Sequence, residues 1–190
     1  MKTIYVFLIF IAVVIIQLLV PAKMIYNKED VLNSGTVYKF KTQPIDPNDP
    51  FRGKYVTLRY ELSSAKSIDS TIQRNDKVII YLEKDSLGYA KVKSLSKTKH
   101  NTSRDFIEVE VEYYDYHSTE VRFNLPFDRY YMEESKAKPA EDIYRKFNRR
   151  NDSINETYAL VAIKNGDAVL KDVFINDKSI HYYIEKEAEK

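Results

Sequence analysis

The segment FIEVEVEYYDY, Phe106 to Tyr116, alternates apolar and charged side chains with a period of two. Successive side chains of a strand point to opposite faces, so this pattern buries one face and wets the other; on a helix it would scatter apolar groups all round. The alternation predicts Ile107, Val109, Val111 and Tyr113 inward and Glu108, Glu110 and Glu112 outward. The same period returns in Tyr38 and Phe40, in Val56, Leu58, Tyr60 and Leu62, in Val78, Ile80 and Leu82, and in Val121, Phe123 and Leu125. Sixteen tyrosines and only four glycines fit pleated, half-buried sheet. Asn165-Gly166 between two apolar alternations is a hairpin signal, and the closing segment through SIHYYIE continues as a β meander. The fold expected is mainly antiparallel β, barrel- or sandwich-like, with an N-terminal transmembrane helix and one short amphipathic helix. That short helix is PAEDIYRKFNRR, with Pro139 in its first turn, acids early and bases late.

The glutamate row needs no metal or acid/base role. Lysines in YAKVKSLSKTKH, on an expected neighbouring strand, account for it as a cross-strand ladder of ion pairs. His100, His117 and His181 stand in separate elements, although His100 and His117 flank one expected hairpin. The chain has no cysteine, no Gly-rich phosphate loop, no G-x-S-x-G and no H-E-x-x-H, and we assign no cofactor. A net charge of +2 calls for no nucleic acid.

Ile4 to Val20 is an apolar run broken only by Gln17, near the lower length limit for crossing hydrocarbon. It exceeds the apolar core of an ordinary signal peptide, so we read an anchor rather than a leader cleaved after Ala22. The organisation expected is a transmembrane anchor over 1–22, an amphipathic helical connector over 23–35 ended by Gly35, and a β-rich domain over 36–190. The short leader stays in the cytoplasm, which leaves the domain outside it, on the inner membrane.

PIDPNDPFRGKYVTLRYEL, Pro44 to Leu62, is the least ordinary stretch. Pro44, Pro47 and Pro50 recur every three residues, the period of polyproline II, which lines up Asp46, Asp49 and Arg52 on one side. Three readings stand together. It is a stiff corner in which Asp–Arg pairs and Gly53 aim the following strand, a recognition loop through Arg52, or a hard-cation site through Asp46 and Asp49. In the strand that follows, Leu58 and Tyr60 belong to the core with Val56, while Tyr55 and Arg59 face outward.

DPNDPFRGKYVTLRYELS resembles the signature of the GDYXXLXY family of bacterial membrane-anchored proteins. Gly53, Tyr55, Leu58 and Tyr60 match, as do Asp46, Pro47, Asp49, Pro50 and Arg52; Lys54 departs, since the family has Asp there. DRYYMEES is similar to the family's Arg-Tyr-aromatic stretch with a following glutamate, here Arg129, Tyr130, Tyr131 and Glu134. The resemblance implies an N-terminal anchor on a domain that accompanies a multi-pass membrane protein, and it carries no catalytic assignment. The function expected is therefore a non-enzymatic accessory or interaction protein of the envelope. Its candidate contact residues are Asp46, Asp49, Arg52, Gly53, Tyr55, Arg129 and Glu134, with Leu58 and Tyr60 as the motif core. The rival expectations are an envelope hydrolase pairing Asp46 or Asp49 with Glu134, and a divalent-cation module.

Overall fold

The computed structural model describes residues 2–43, 55–147 and 156–188. The chain opens with one helix, α1 (Lys2–Ser34), which carries Pro21 inside it and takes in the segment expected as a connector. At Gly35 the chain leaves the helix: its N–H donates to the Val31 carbonyl at 2.9 Å, and a side chain there would collide with that carbonyl and crowd the backbone of Ile163. β1 (Thr36–Gln43) follows, then β2 (Tyr55–Thr57), β3 (Arg59–Tyr60), β4 (Ser64–Lys66), β5 (Lys77–Lys84), β6 (Ala90–Ser96), β7 (Phe106–Asp115), β8 (Glu120–Asn124) and β9 (Arg129–Tyr131). After them come α2 (Glu134–Phe147), β10 (Thr157–Lys164), β11 (Asp167–Ile175), β12 (Lys178–Ser179) and α3 (Ile180–Ala188).

The strands are antiparallel throughout their ladders. One five-stranded sheet runs β12-β11-β10-β1-β3 and a second runs β4-β8-β7-β5-β6. The second curls until its edge strands β4 and β6 approach each other, so it is nearly closed, like a barrel. Bridges between Lys39 and Tyr89 and between Ile107 and Gly166 tie it to the first sheet. Between them lies one core, including Phe40, Val56, Ile80, Ile107, Phe123, Val161 and Ile175. The Asn165-Gly166 turn joins β10 to β11 as expected, with both residues at positive φ, 55° and 93°, the twist that suits a two-residue hairpin.

The structure corrects several local expectations. The inward alternation of β7 holds through Val111 and then slips at a bulge, which buries Tyr114 and leaves Tyr113 exposed. The lysines of β6 do not lie beside the glutamates of β7, because β5 runs between them. Lys93 pairs with Glu83 of β5 at 3.1 Å, and Glu108 pairs with Lys77 of β5 at 3.0 Å. His100 precedes β7 and His117 follows it, at opposite ends of that strand. α2 begins at Glu134, not Pro139, because the Glu133 carbonyl already accepts from Lys136 and Ala137; Pro139 sits inside the helix, whose buried face is Ala137, Ala140, Ile143 and Tyr144. Past Ser179 the closing SIHYYIE is a helix, not a strand. Ile180 and Ile184, one turn apart, are buried together, and Tyr183 between them packs on Phe147 of α2 and donates to the Ile175 carbonyl. The helical spacing of these three wins over local strand propensity.

Among the described residues α1 reaches the domain only with its last turns. Val31 is buried, Lys28 binds Asp167 at 2.8 Å, and Asp30 binds Lys164 at 2.7 Å, so this end of the helix is fixed to the β10–β11 hairpin. From Ile4 to Tyr26 its large apolar side chains are nearly all exposed. The helix is long and apolar enough to cross a membrane, as an anchor or as a signal sequence would.

Candidate functional site

The strand expected as one unit from Tyr55 to Leu62 changes partner at Leu58. β2 pairs with β9, placing Tyr55 opposite Tyr131, Val56 opposite Tyr130 and Thr57 opposite Arg129. The Leu58 N–H donates to the Asp128 carbonyl at 2.7 Å. β3 then crosses to β1, with Tyr60 opposite Thr42. Val56, Leu58 and Tyr60 are all buried, as their spacing predicts. The Tyr60 ring packs edge-on against Phe40 and Phe127, with centroids 5.9 and 5.3 Å away, and its hydroxyl donates to the Phe127 carbonyl at 2.8 Å. Burial pushes that hydroxyl's pKa far up, so Tyr60 serves as a neutral hydrogen-bond donor. Thus the segment 55–60 and the segment 127–131, far apart in the chain, are clasped by backbone and side-chain bonds.

The β2–β9 ribbon has two unlike faces. Outward, the Arg129 guanidinium lies 5.0 Å from the centre of the Tyr55 ring, and the Tyr55 and Tyr131 rings stand 5.4 Å apart. Arg129 is held more firmly in its charged form, first by a hydrogen bond to Tyr131 and then by the nearby Tyr55, Tyr131 and Asp128. Tyr131 is 64% exposed. Beside this patch runs a groove of about 340 Å³, lined by Leu58, Arg59 and Tyr60 on one wall and by Asn124 and Asp128 on the other. Inward, the buried Tyr130 hydroxyl donates to Asp172 Oδ1 at 3.0 Å and lies 3.0 Å from His181 Nε2. Burial and the Asp172 carboxylate both push its pKa up.

Of the residues singled out from sequence, Tyr55 and Arg129 come together on the outward face, and Leu58 and Tyr60 sit beneath them in the core. Glu134 opens α2 and is exposed, with no ion pair to Arg129. Asp46, Asp49, Arg52 and Gly53 lie outside the described residues. Among the described residues no three His, Asp or Glu side chains gather as a metal site would require. The contact residues expected from sequence did not include Asp128, Asp172 or His181, and Tyr131 entered only through the Arg-Tyr-aromatic stretch. Tyr131 was legible, since it alternates with Tyr130 on a strand; Asp172 and His181 carry no local signal.

The sequence model of a family described as GDYXXLXY protein matches residues 17–173. The chain belongs to the GDYXXLXY family. The match spans both halves of the clasp, the motif strand with Tyr55, Leu58 and Tyr60 and the partner strand with Arg129 to Tyr131. No curated protein and no solved structure matches the chain. Within the family signature, Tyr55 supplies a ring to the surface, whereas Leu58 and Tyr60 join the core.

Proposed function

We propose that this GDYXXLXY protein is a single-pass, membrane-anchored interaction module without catalytic activity. In this reading 1–22 anchors the chain in the inner membrane, 23–35 connects, and 36–190 forms a β-rich domain outside the cytoplasm that holds a protein partner. The partner is a multi-pass membrane protein, close enough to be met by a tethered domain. One observation carries the proposal: Arg129, charged and exposed, is held against Tyr55 and Tyr131 on the open face of the ribbon built from the two family stretches. A guanidinium between two tyrosines resembles an interface hot spot in composition, and its fork suits a carboxylate or carbonyl of a partner chain. Asp46, Asp49, Arg52 and Gly53 extend the proposed surface on sequence grounds, because they lead directly into Tyr55. Among the described residues the groove beside it contributes one carboxylate, Asp128, which lies 3.9 Å from Arg129.

The test is crosslinking and purification of the full-length chain from its native membrane, beside Arg129→Ala, Tyr131→Ser and Arg52→Ala. The expected result is a multi-pass protein that co-purifies with the wild type and is lost from the variants, whose melting curves stay the same. A partner retained by all three variants would move recognition away from this face.

A further inference from the structure

The turn of the β10–β11 hairpin is where the anchor helix, the hairpin and the long β6–β7 loop meet. Lys28 of α1 binds Asp167, the first residue after the turn. Gly166, within the turn, rests on the Phe106 ring and bridges to Ile107. Asn165 lines a groove of about 440 Å³ whose other walls come from residues 99–106, among them Lys99, His100, Thr102, Arg104 and Asp105.

The charge of this groove is lopsided. Lys97, at the loop's start, is neutralised by Asp76 at 2.7 Å. Among the described residues Asp105 is the one carboxylate lining the groove, and it accepts the Tyr38 hydroxyl at 3.0 Å. His100 Nε2 lies 2.9 Å from Ser96 Oγ. Lys99 holds its ammonium 4.5 Å over the Phe106 ring, and among the described residues neither Lys99 nor Arg104 has an ion-pair partner. Both are exposed, beside a row of hydroxyl and amide donors. Such a set fits the oxygens of a phosphate group.

The helix register says which phosphate. The apolar run ends at Val20, and Lys28 is eight residues further on in the same helix, about 12 Å along its axis. The headgroup layer occupies roughly 5–8 Å on each side of the hydrocarbon. The hairpin turn fixed to Lys28 thus stands just above that layer, and the stems of Lys99 and Arg104 cover the remaining gap. Met24, Ile25 and Tyr26, exposed on α1 between the two levels, suit immersion in the interface.

We propose that the β6–β7 loop docks its basic groove onto the phosphates of anionic lipid headgroups, fixing the tilt of the domain on the membrane. This rests on the anchored reading of α1 given above. It places the β7–β8 turn with His117, at the far end of β7, away from the lipid.

The chain has no cysteine, so single nitroxides can be placed in the full-length protein by Thr102→Cys, His117→Cys or Ile11→Cys. Each labelled protein is reconstituted in vesicles of phosphatidylcholine, or of equal parts phosphatidylcholine and phosphatidylglycerol, carrying a trace of nickel-chelating lipid. Relaxation of the nitroxide by surface nickel reports approach to the headgroups. The expected result is a rise in the docked-to-undocked ratio at Thr102 of about 30-fold with anionic lipid, the weight of two basic residues at such a surface. The rise should vanish in Lys99→Glu/Arg104→Glu and shrink with salt, with His117 unchanged throughout. An Ile11 label open to water would overturn the anchored reading and this inference with it. An Ile11 label in hydrocarbon, with a Thr102 label indifferent to lipid charge or to the double substitution, would overturn the lipid contact alone. Inorganic phosphate added to pure phosphatidylcholine vesicles should leave Thr102 unchanged; a response there would assign the groove to a soluble anion instead.

Discussion

The molecule has two joints between distant segments, built from opposite materials. At the motif clasp, Tyr60 is buried with Phe40 and Phe127, and its hydroxyl and the Leu58 N–H bind the carbonyls of Phe127 and Asp128. At the helix–hairpin joint Val31 is the one buried side chain that α1 supplies among the described residues, and its polar bonds, Lys28–Asp167, Asp30–Lys164 and Lys164 to Ser34, are exposed. Burial of aromatic area with satisfied polar atoms commits a chain to one arrangement. Exposed ion pairs contribute little and respond to salt and pH. The clasp therefore belongs to folding itself, and the helix joint sets how α1 sits on the folded domain.

The largest effect that would sharpen this contrast lies at Tyr60. Tyr60→Ala removes a ring from a packed three-aromatic cluster and should cost about 3–5 kcal/mol. Tyr60→Phe keeps the ring and leaves the buried Phe127 carbonyl without its donor, for about 1–2 kcal/mol. Urea unfolding of the two variants separates packing from hydrogen bonding. Equal, small losses from both would mean that the clasp forms after the fold and does not help to specify it.

What a single sequence exposes follows the same division. Patterns carried by near neighbours were readable. Val78, Ile80 and Leu82 alternate on β5, Val121 and Phe123 on β8, and Asn165-Gly166 closes its hairpin. The bulge that turns Tyr114 inward in place of Tyr113 was not, because it depends on the partner strand β8. Nor was α3, whose two isoleucines read as well on a strand; what distinguishes the helix is Tyr183, which packs on Phe147 and bonds the Ile175 carbonyl, both outside α3. The clasp was half legible. The burial of Leu58 and Tyr60 shows in their alternation, but the choice of residues 127–131 as their partner is a long-range pairing that neither stretch encodes alone.

The helix–hairpin joint should yield to acid long before the clasp does. Asp30 is held below the ordinary carboxylate value of 3.8, first by its hydrogen bond to Lys164 and then by that to Ser34. A carboxylate whose folded pKa is depressed contributes its stabilisation fully above the unfolded value, and that contribution disappears as the pH falls through the folded one. Docking of α1 should therefore be unaffected from neutral pH down to about 4 and loosen below it. Amide exchange at Lys164 and Asp167, followed against pH, measures this. In Lys164→Met the acid response should be largely gone. Protection that persists undiminished into acid would show that Val31, not the ion pairs, holds the joint, and the contrast between the two joints would narrow.

The smallest effect on stability belongs to the outward face of the clasp, and there the small size is the point. Tyr131 alternates with Tyr130 on one short strand, yet only Tyr130 reaches inward to Asp172 and His181. Tyr131→Ser removes a side chain that is 64% exposed, so stability should change by no more than about 0.5 kcal/mol. The Arg129 guanidinium loses its Tyr131 partner and keeps the Tyr55 ring and Asp128, 3.9 Å away, beside it. A residue that costs so little to remove has no structural reason to form an ordered pair with arginine on an open surface, since ordering two long side chains is itself unfavourable. If thermal melting of Tyr131→Ser is unchanged while partner capture falls, the order is there for recognition. If melting drops as far as it does for Tyr60→Phe, the outward face is a second seal on the clasp, and recognition has to be sought elsewhere on the domain.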